Sequence, residues 1–491
     1  MKHRLVVLAV LLLGSVMAAE GDMADVLARL KALEEKNKAF EEKNKELEQK
    51  LKQAEARIGS GQALDKAVAA ANQKMCEVVT APDPKGRPLI IGGYFDISYE
   101  FNANRPDNQR NNLRSFDTDS NGFNVHLAEL NFSRLPTEPG QAGFRVDLAL
   151  GTDQRVFTPQ DSTANPAERN SQFKDIGLKQ AFLEYIVPAG NGITMDFGEF
   201  VTMHGAEVIE AADNINASRS FLFGMAIPFT HTGVRASYDV FTGNAKENGS
   251  GKWNVMGAAV NGWDNIQDQN NAKTFGLSSN WQATKWFNWT VNTMYGDEQY
   301  GDERARLAAA TAPDTLIGDQ GDYAGALNDP TAPGIDSQLG TYWRSHDQGG
   351  RFLVDTTFTM TPWAKWTFAV NGDYAYEGCV PNYNSPLANR RWYGVAGYTK
   401  YQFAKKWYIA NRTEYFNDPQ GVRSGRREAL WETTLTFDWA LSDPFHMRFE
   451  YRHDSSDVNA FSDDKGFGAD PTNPFHADHQ DTFMLQWLYK F

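Results

Sequence analysis

The stretch Phe445-His446-Met447-Arg448-Phe449-Glu450-Tyr451-Arg452 alternates without a break. Phe445, Met447, Phe449 and Tyr451 fall on one side, and His446, Arg448, Glu450 and Arg452 on the other. Side chains two residues apart share a face only in an extended strand. The same alternation sets Trp431, Thr433, Leu435, Phe437 and Trp439 against Glu432, Thr434, Thr436 and Asp438. It also sets Trp366, Phe368 and Val370 against Thr367, Ala369 and Asn371, and Phe144, Val146, Leu148 and Leu150 against Arg145, Asp147 and Ala149. A soluble β-sandwich alternates as well. Its apolar face points into a shared core, however, and its polar face does not call for this many aromatic residues: 31 Phe, 18 Tyr and 13 Trp.

Working outward, about sixteen segments of roughly 9 to 13 residues read this way, which is the length a membrane-spanning strand needs. They run over 89–101, 122–134, 143–151, 178–187, 192–199, 230–241, 251–261, 273–283, 286–295, 350–360, 364–376, 392–402, 406–416, 428–439, 445–452 and 481–491. Their connections alternate in length. Even-to-odd links such as 188–191, 284–285, 361–363 and 403–405 are short. Odd-to-even links at 152–177, 200–229, 296–349, 377–391, 417–427 and 453–480 are long. This parity marks an outer-membrane barrel, with short periplasmic turns and long outer loops. Trp281, Trp286, Trp289, Trp363, Trp366, Trp407 and Trp439 cluster at the short turns, where amphipathic rings meet the membrane–water interface. The fold class expected is an all-β transmembrane barrel of about 16 antiparallel strands over 89–491, preceded by an α-helical coiled coil.

The N-terminus reads as an export signal. Lys2 and Arg4 precede the apolar run Leu5 to Leu13, and small residues follow at Gly14 to Ala19. The run is too short to span a membrane, so residues 1–19 are expected to be a cleaved signal peptide rather than an anchor. Over 22–60, Leu30, Asn37, Asn44, Leu51 and Ile58 recur every seventh residue, with Val26, Leu33, Phe40, Leu47 and Ala54 on the second seam. This is a heptad pattern for a periplasmic coiled coil, and it favours a homo-oligomer, a trimer first of all; the alternative is a single solvated helix. A linker over 61–88 ends in Pro82, Pro84 and Pro88.

The formal charge of −14 argues against nucleic-acid binding. Cys76 and Cys379 are the only cysteines, so there is no disulfide scaffold; parity places Cys379 in an outer loop. No cofactor and no metal is expected. His204-x-x-Glu207 is a pair common by chance, and neither His-Glu-x-x-His nor Gly-x-Ser-x-Gly occurs. A catalytic role is not expected.

Sixteen strands enclose an aqueous channel. The inward set is polar: Arg145, Asp147, Glu184, Asp196, Arg235, Asp239, Asp355, Asp373, Arg412, Glu414, Glu432, Asp438, Arg448, Glu450 and Arg452. Opposed rows would set a transverse field across the lumen, or simply pair as ions along a wetted wall. Beyond residue 88 the chain has 33 basic and 49 acidic residues, which predicts a weak cation preference. The connection 200–229 is unlike an outer loop. It carries an amphipathic stretch around Glu207, Glu210 and Asp213, and the apolar run Phe221 to Ile227, which needs burial. It is expected to fold into the mouth of the barrel, with a short helical stretch. The alternatives are a lid without selectivity, or 219–227 as one more strand.

The runs Arg219-Ser220-Phe221-Leu222-Phe223-Gly224, Pro228-Phe229-Thr230-His231-Thr232-Gly233-Val234-Arg235 and Val260-Asn261-Gly262-Trp263-Asp264 resemble the OmpL-like outer-membrane β-barrel porins, the β-barrel porin 2 family. Gly92-Gly93-Tyr94-Phe95-Asp96 and Phe123 to Glu129 are similar to its opening strands. The resemblance covers about residues 90 to 491 and leaves the coiled coil outside. It implies passive diffusion of small hydrophilic solutes and ions across the outer membrane and no catalytic residues. Porins in general narrow at the third outer loop, so by resemblance Glu207, Glu210, Asp213 and Arg219 are the constriction candidates. A substrate-specific channel, or a barrel anchoring a coiled coil to the cell wall, are the competing readings.

Overall fold

A computed structural model describes Asp83 and residues 86–157, 176–244, 249–268, 272–298, 350–382, 385–464 and 475–491. The expected signal peptide and coiled coil, and nearly all of the linker and of the 296–349 loop, lie outside these residues. The described chain forms β1 (Ile90–Asn102), β2 (Gly122–Arg134), β3 (Ala142–Leu150), β4 (Ile176–Val187), β5 (Ile193–Val201), β6 (Thr230–Phe241), β7 (Lys252–Val260) and β8 (Thr274–Thr284). It continues with β9 (Phe287–Asp297), β10 (Gly350–Trp363), β11 (Trp366–Asn382), β12 (Ser385–Ala404), β13 (Trp407–Asp418), β14 (Glu428–Ser442), β15 (Phe445–Ser456) and β16 (His479–Lys490). Each strand pairs antiparallel with its neighbours in sequence, and β1 pairs with β16, so the sheet is a closed barrel. In hydrocarbon no water reaches an open sheet edge, and closure is what satisfies every backbone group.

The alternating residues sort as their chemistry requires. Outward positions such as Phe275, Leu277, Trp289, Leu435 and Phe449 are exposed, ready to face lipid. Aromatic rings gather at the short-turn end, where Trp407 stacks on Trp439 at 4.7 Å and Trp366 on Tyr401 at 4.4 Å. The inward rows hold the polar set.

Two expectations need correction. The segment 377–391 was expected as a loop, but β11 and β12 run on as a two-stranded extension with Glu377 opposite Arg390 and Val380 opposite Ala388. Cys379 therefore lies in a strand. The 202–229 connection holds no amphipathic helix. It has a single 3-10 turn at Ala211–Asp213 and a π-helical turn at Leu222–Ala226, and the latter also removes the extra strand considered at 219–227.

Closure brings the backbone of β1 between two partners. Gly93 exchanges both of its hydrogen bonds with Phe491, at 3.1 and 3.0 Å. A Cβ at Gly93 would lie 2.0 Å from the Glu129 carbonyl oxygen, whereas a Cβ at Gly257 would meet nothing nearer than 3.8 Å. Gly93→Val is therefore expected to cut the fraction of protein that migrates as a folded, heat-modifiable barrel, while Gly257→Ala leaves it unchanged. Equal folded yields for the two variants would show that this contact does not limit closure.

Candidate functional site

The site is the barrel interior and the 202–229 loop that enters it. From the long-loop end the loop descends along the inner faces of β13, β14 and β15. The charged rows there grip its backbone. Arg452 donates to the Arg219 carbonyl. Glu450 accepts from the amides of Ala217 at 2.7 Å and Ser218 at 2.9 Å. Arg448 donates to the carbonyls of Ala211 at 2.8 Å and Asn214 at 3.0 Å. Residues 452 to 448 span about 14 Å of strand, so the loop is held along about a third of β15. On β13, Glu414 accepts from the amides of Phe221 at 2.7 Å and Leu222 at 2.5 Å. Arg412 donates to the Ser218 carbonyl at 2.6 Å, and it pairs with Glu207 at 2.7 Å and Glu432 at 2.9 Å. These are charge-assisted bonds, roughly twice as strong as neutral ones.

The four constriction candidates part company. Glu207 and Arg219 are buried. Glu207 accepts from Arg412, and from the Ser220 amide at 2.8 Å and hydroxyl at 2.6 Å. Arg219 bonds carbonyls of its own loop, at Ala217 and Ile209, and lies over the Phe116 ring at 4.8 Å. Glu210 pairs with Lys179 of β4. Asp213, at the bottom of the loop, is exposed and pairs with Lys490 at 2.7 Å. Of the inward set, Asp147, Asp355, Asp373, Arg412, Glu414, Glu432, Asp438, Arg448, Glu450 and Arg452 are buried, so they do not face water. Arg145, Glu184, Arg235 and Asp239 keep partial exposure. His204 and Glu207 form no pair: His204 Nδ1 lies 3.1 Å from Thr202 Oγ1, and burial pushes the imidazole down to about 3.

The residues missed from sequence belong to the loop 103–121. Arg114 binds Asp454 of β15 at 2.5 Å and also pairs with Asp117. Phe116 packs on Phe223 at 5.7 Å and Phe229 at 5.5 Å, closing over the apolar run from outside. The available signal was an apolar residue framed by Arg114 and Asp117 in an otherwise polar loop. Together the two loops fill the long-loop half of the barrel among the described residues. One inward side chain from each strand is no more than 3% exposed there: Glu100, Leu127, Ala149, Lys179, Phe200, His231, Val260, Thr274, Met294, Leu353, Ala375, Trp392, Phe416, Leu430, Arg452 and Gln480.

The short-turn half is open on one side. Asn254, Ser278, Asn280, Gln282, Asn288, Thr290, Thr357 and Thr359 on β7 to β10 face inward and are partly exposed. They form an uncharged lattice, with Asn280 donating to Thr290 at 2.6 Å and Asn288 to Gln282 at 3.2 Å.

Residues 88–491 match the family described as "Putative beta-barrel porin-2, OmpL-like". The chain belongs to this family. It is an outer-membrane channel protein, a multi-pass β-barrel. No curated protein matches its sequence. Solved structures similar to this porin include the outer membrane channel DcaP of Acinetobacter baumannii, at 11% identity over 84% of this chain and 99% of that one, with a TM-score of 0.48. OmpT of Vibrio cholerae, in a trimer form, is 11% identical over 82% and 99%, with a TM-score of 0.47. An anion-selective porin from Comamonas acidovorans is 7% identical over 82% and 99%, with a TM-score of 0.49. With TM-scores under 0.5, none of the three adds to the family match.

One cluster in this porin has the order of a catalytic triad. Ser98 Oγ lies 2.7 Å from His126 Nε2, and His126 Nδ1 lies 3.3 Å from Asp153. The Ser98 hydroxyl instead donates to Glu100 at 2.9 Å, and all three groups are buried. The cluster bolts the 151–157 segment to β1 and β2.

Two predictions follow from the loop's anchors. Arg412→Ala leaves Glu207 a buried carboxylate without its arginine and leaves Glu432 with the more distant Arg452 at 3.8 Å, a loss of about 3 to 5 kcal/mol where one partner of a buried pair is removed. The 202–229 loop is then expected to detach, seen as faster protease cleavage between 205 and 220 in the folded barrel. At the outer mouth, Glu298 accepts from the Trp263 amide at 2.7 Å, and Asp264 from the Phe229 amide at 2.6 Å. Burial pushes Glu298 up to about 7 and Asp264 up to about 6. Between the unperturbed carboxylate values and these, the folded state binds more protons than the unfolded one, so stability falls as pH rises to about 7. Glu298→Gln with Asp264→Asn should flatten that fall in melting midpoint. An unchanged slope would show that these carboxylates do not sense pH through folding.

Proposed function

We propose that this porin passes small hydrophilic solutes and ions by passive diffusion, with weak cation preference, through a passage whose outer half is set by the 202–229 loop. The observation that carries this reading is the open wall of β7 to β10, lined by amides and hydroxyls apart from Lys252 at the end of β7. Amides and hydroxyls exchange hydrogen bonds with a hydrated solute at little net cost and bind no ion tightly. Partly exposed inward charges are largely neutralised in pairs, Arg235 by the buried Asp196 at 2.7 Å and Lys252 by Asp239 at 3.0 Å, so the excess of 49 acidic over 33 basic residues beyond residue 88 acts from the mouths and only weakly. Glu207, Glu210, Asp213 and Arg219 are the residues whose release from the wall would shape the narrowest point. We place the signal peptide at 1–19, a periplasmic coiled coil at 22–60 and a linker at 61–88. A trimer is the favoured assembly, from the heptad pattern over 22–60.

A second reading is favoured by the filled outer half: a barrel that mainly anchors its coiled coil, with little flow. Single-channel recording in a planar bilayer under a KCl gradient separates the two. Discrete steps with a small reversal potential toward K⁺ are expected, and larger steps for Arg412→Ala. Reversal toward Cl⁻ would overturn the cation preference. Absence of steps from folded protein, with envelope integrity lost on deletion of 22–60, would establish the anchor.

A further inference from the structure

Asn292 of β9, Asp355 of β10 and Asp373 of β11 are direct cross-strand partners in one inward row. Their exposures are 1%, 0% and 5%. The amides of Asn292 and Asn371 each donate to one oxygen of Asp355, at 2.6 Å. Both carboxylate oxygens of Asp373 are buried without a hydrogen-bond partner within 3.5 Å, and so is the side-chain oxygen of Asn292; the Asn371 amide is the nearby donor. The charged groups that bear most on Asp373 include Asp355 and Glu414, both carboxylates.

This is an excess of buried acceptors. Two like charges directly opposite each other destabilise a sheet, and an unpaired buried charge costs more than an unpaired dipole. A proton shared between the two carboxyl groups would occupy one oxygen of Asp373. It would leave the other oxygen, and that of Asn292, without a donor. An oxygen-only set with two carboxylates matches a hard divalent cation of calcium type, which takes mixed carboxylate, amide and water ligands in flexible geometry. Magnesium demands a stricter octahedron. We propose that Asp373, Asp355 and the Asn292 carbonyl hold one such cation, independently of what the channel conducts. Asn371 ties the site to the inserted loop, because its side-chain oxygen accepts from the Ala206 amide at 3.2 Å. The cation thus braces the 202–229 loop against β10 and β11, next to the arginine grip of β13 to β15.

The test uses the full-length folded protein in detergent, stripped with EDTA and then titrated with Ca²⁺ alone by calorimetry, with bound metal counted by elemental analysis. The wild type is expected to take up one Ca²⁺ per chain more than Asp373→Asn, and to gain melting temperature with Ca²⁺ where the variant does not. Asp107→Asn, which removes an exposed loop carboxylate, should bind as the wild type does. If Asp373→Asn does not fold, the wild-type measurements still decide. Uptake of no Ca²⁺, or a melting midpoint that EDTA and Ca²⁺ leave in place while pH moves it, would assign the pair a shared proton and overturn the site. Equal uptake by Asp373→Asn would overturn it as well.

Discussion

A backbone amide in hydrocarbon has no water to bond, and the whole architecture depends on that. The barrel closes because an open edge would strand a row of such groups, and closure draws Phe491 onto Gly93 at the seam between β16 and β1. Once closed, sixteen strands leave an interior too wide for wall side chains to fill. Something else must occupy it, and the choice is between water and loop.

This chain uses both. In the outer half the 202–229 loop supplies Phe221, Leu222, Phe223, Met225 and Ile227 as an internal apolar core, which packs against Leu353, Ala375, Trp392, Phe416 and Leu430 of the wall. A loop backbone taken out of water needs partners of its own, and the arginines and carboxylates of β13 to β15 provide them. Residues such as Arg448 and Glu450, which in an open pore would set a field for passing ions, are instead committed to holding carbonyls and amides. The water-filled part is left to the neutral side chains of β7 to β10. Loop anchoring and solvent exposure therefore fall to different walls of the same barrel.

The strand pattern was legible because it is local. Period-two alternation, the lengths of connections and the tryptophans at short turns each depend on residues near one another in sequence, and β2 (122–134) and β6 (230–241) carry the boundaries that the alternation predicts. The run 377–391 misled because Pro381, Asn382 and Asn384 to Pro386 look like loop chemistry, while β11 and β12 stay paired as far as Asn382 and Ser385. That the loop after the fifth strand folds inward was readable from its buried apolar run. How deep it goes was not, since the depth depends on Arg448 and Arg452 meeting carbonyls more than two hundred residues away.

By itself the amino-acid sequence determined the barrel, its inward and outward faces, the parity of its loops and the family resemblance across residues 90 to 491. Only the tertiary structure decided which inward charges meet water. Arg145 and Arg448 read alike in sequence, each a polar position between apolar neighbours. One stays partly open and the other is covered, because the 202–229 loop lies along β13 to β15 and leaves much of β3 free. Alternation encodes direction relative to the local sheet; burial depends on which distant segment comes to rest against it.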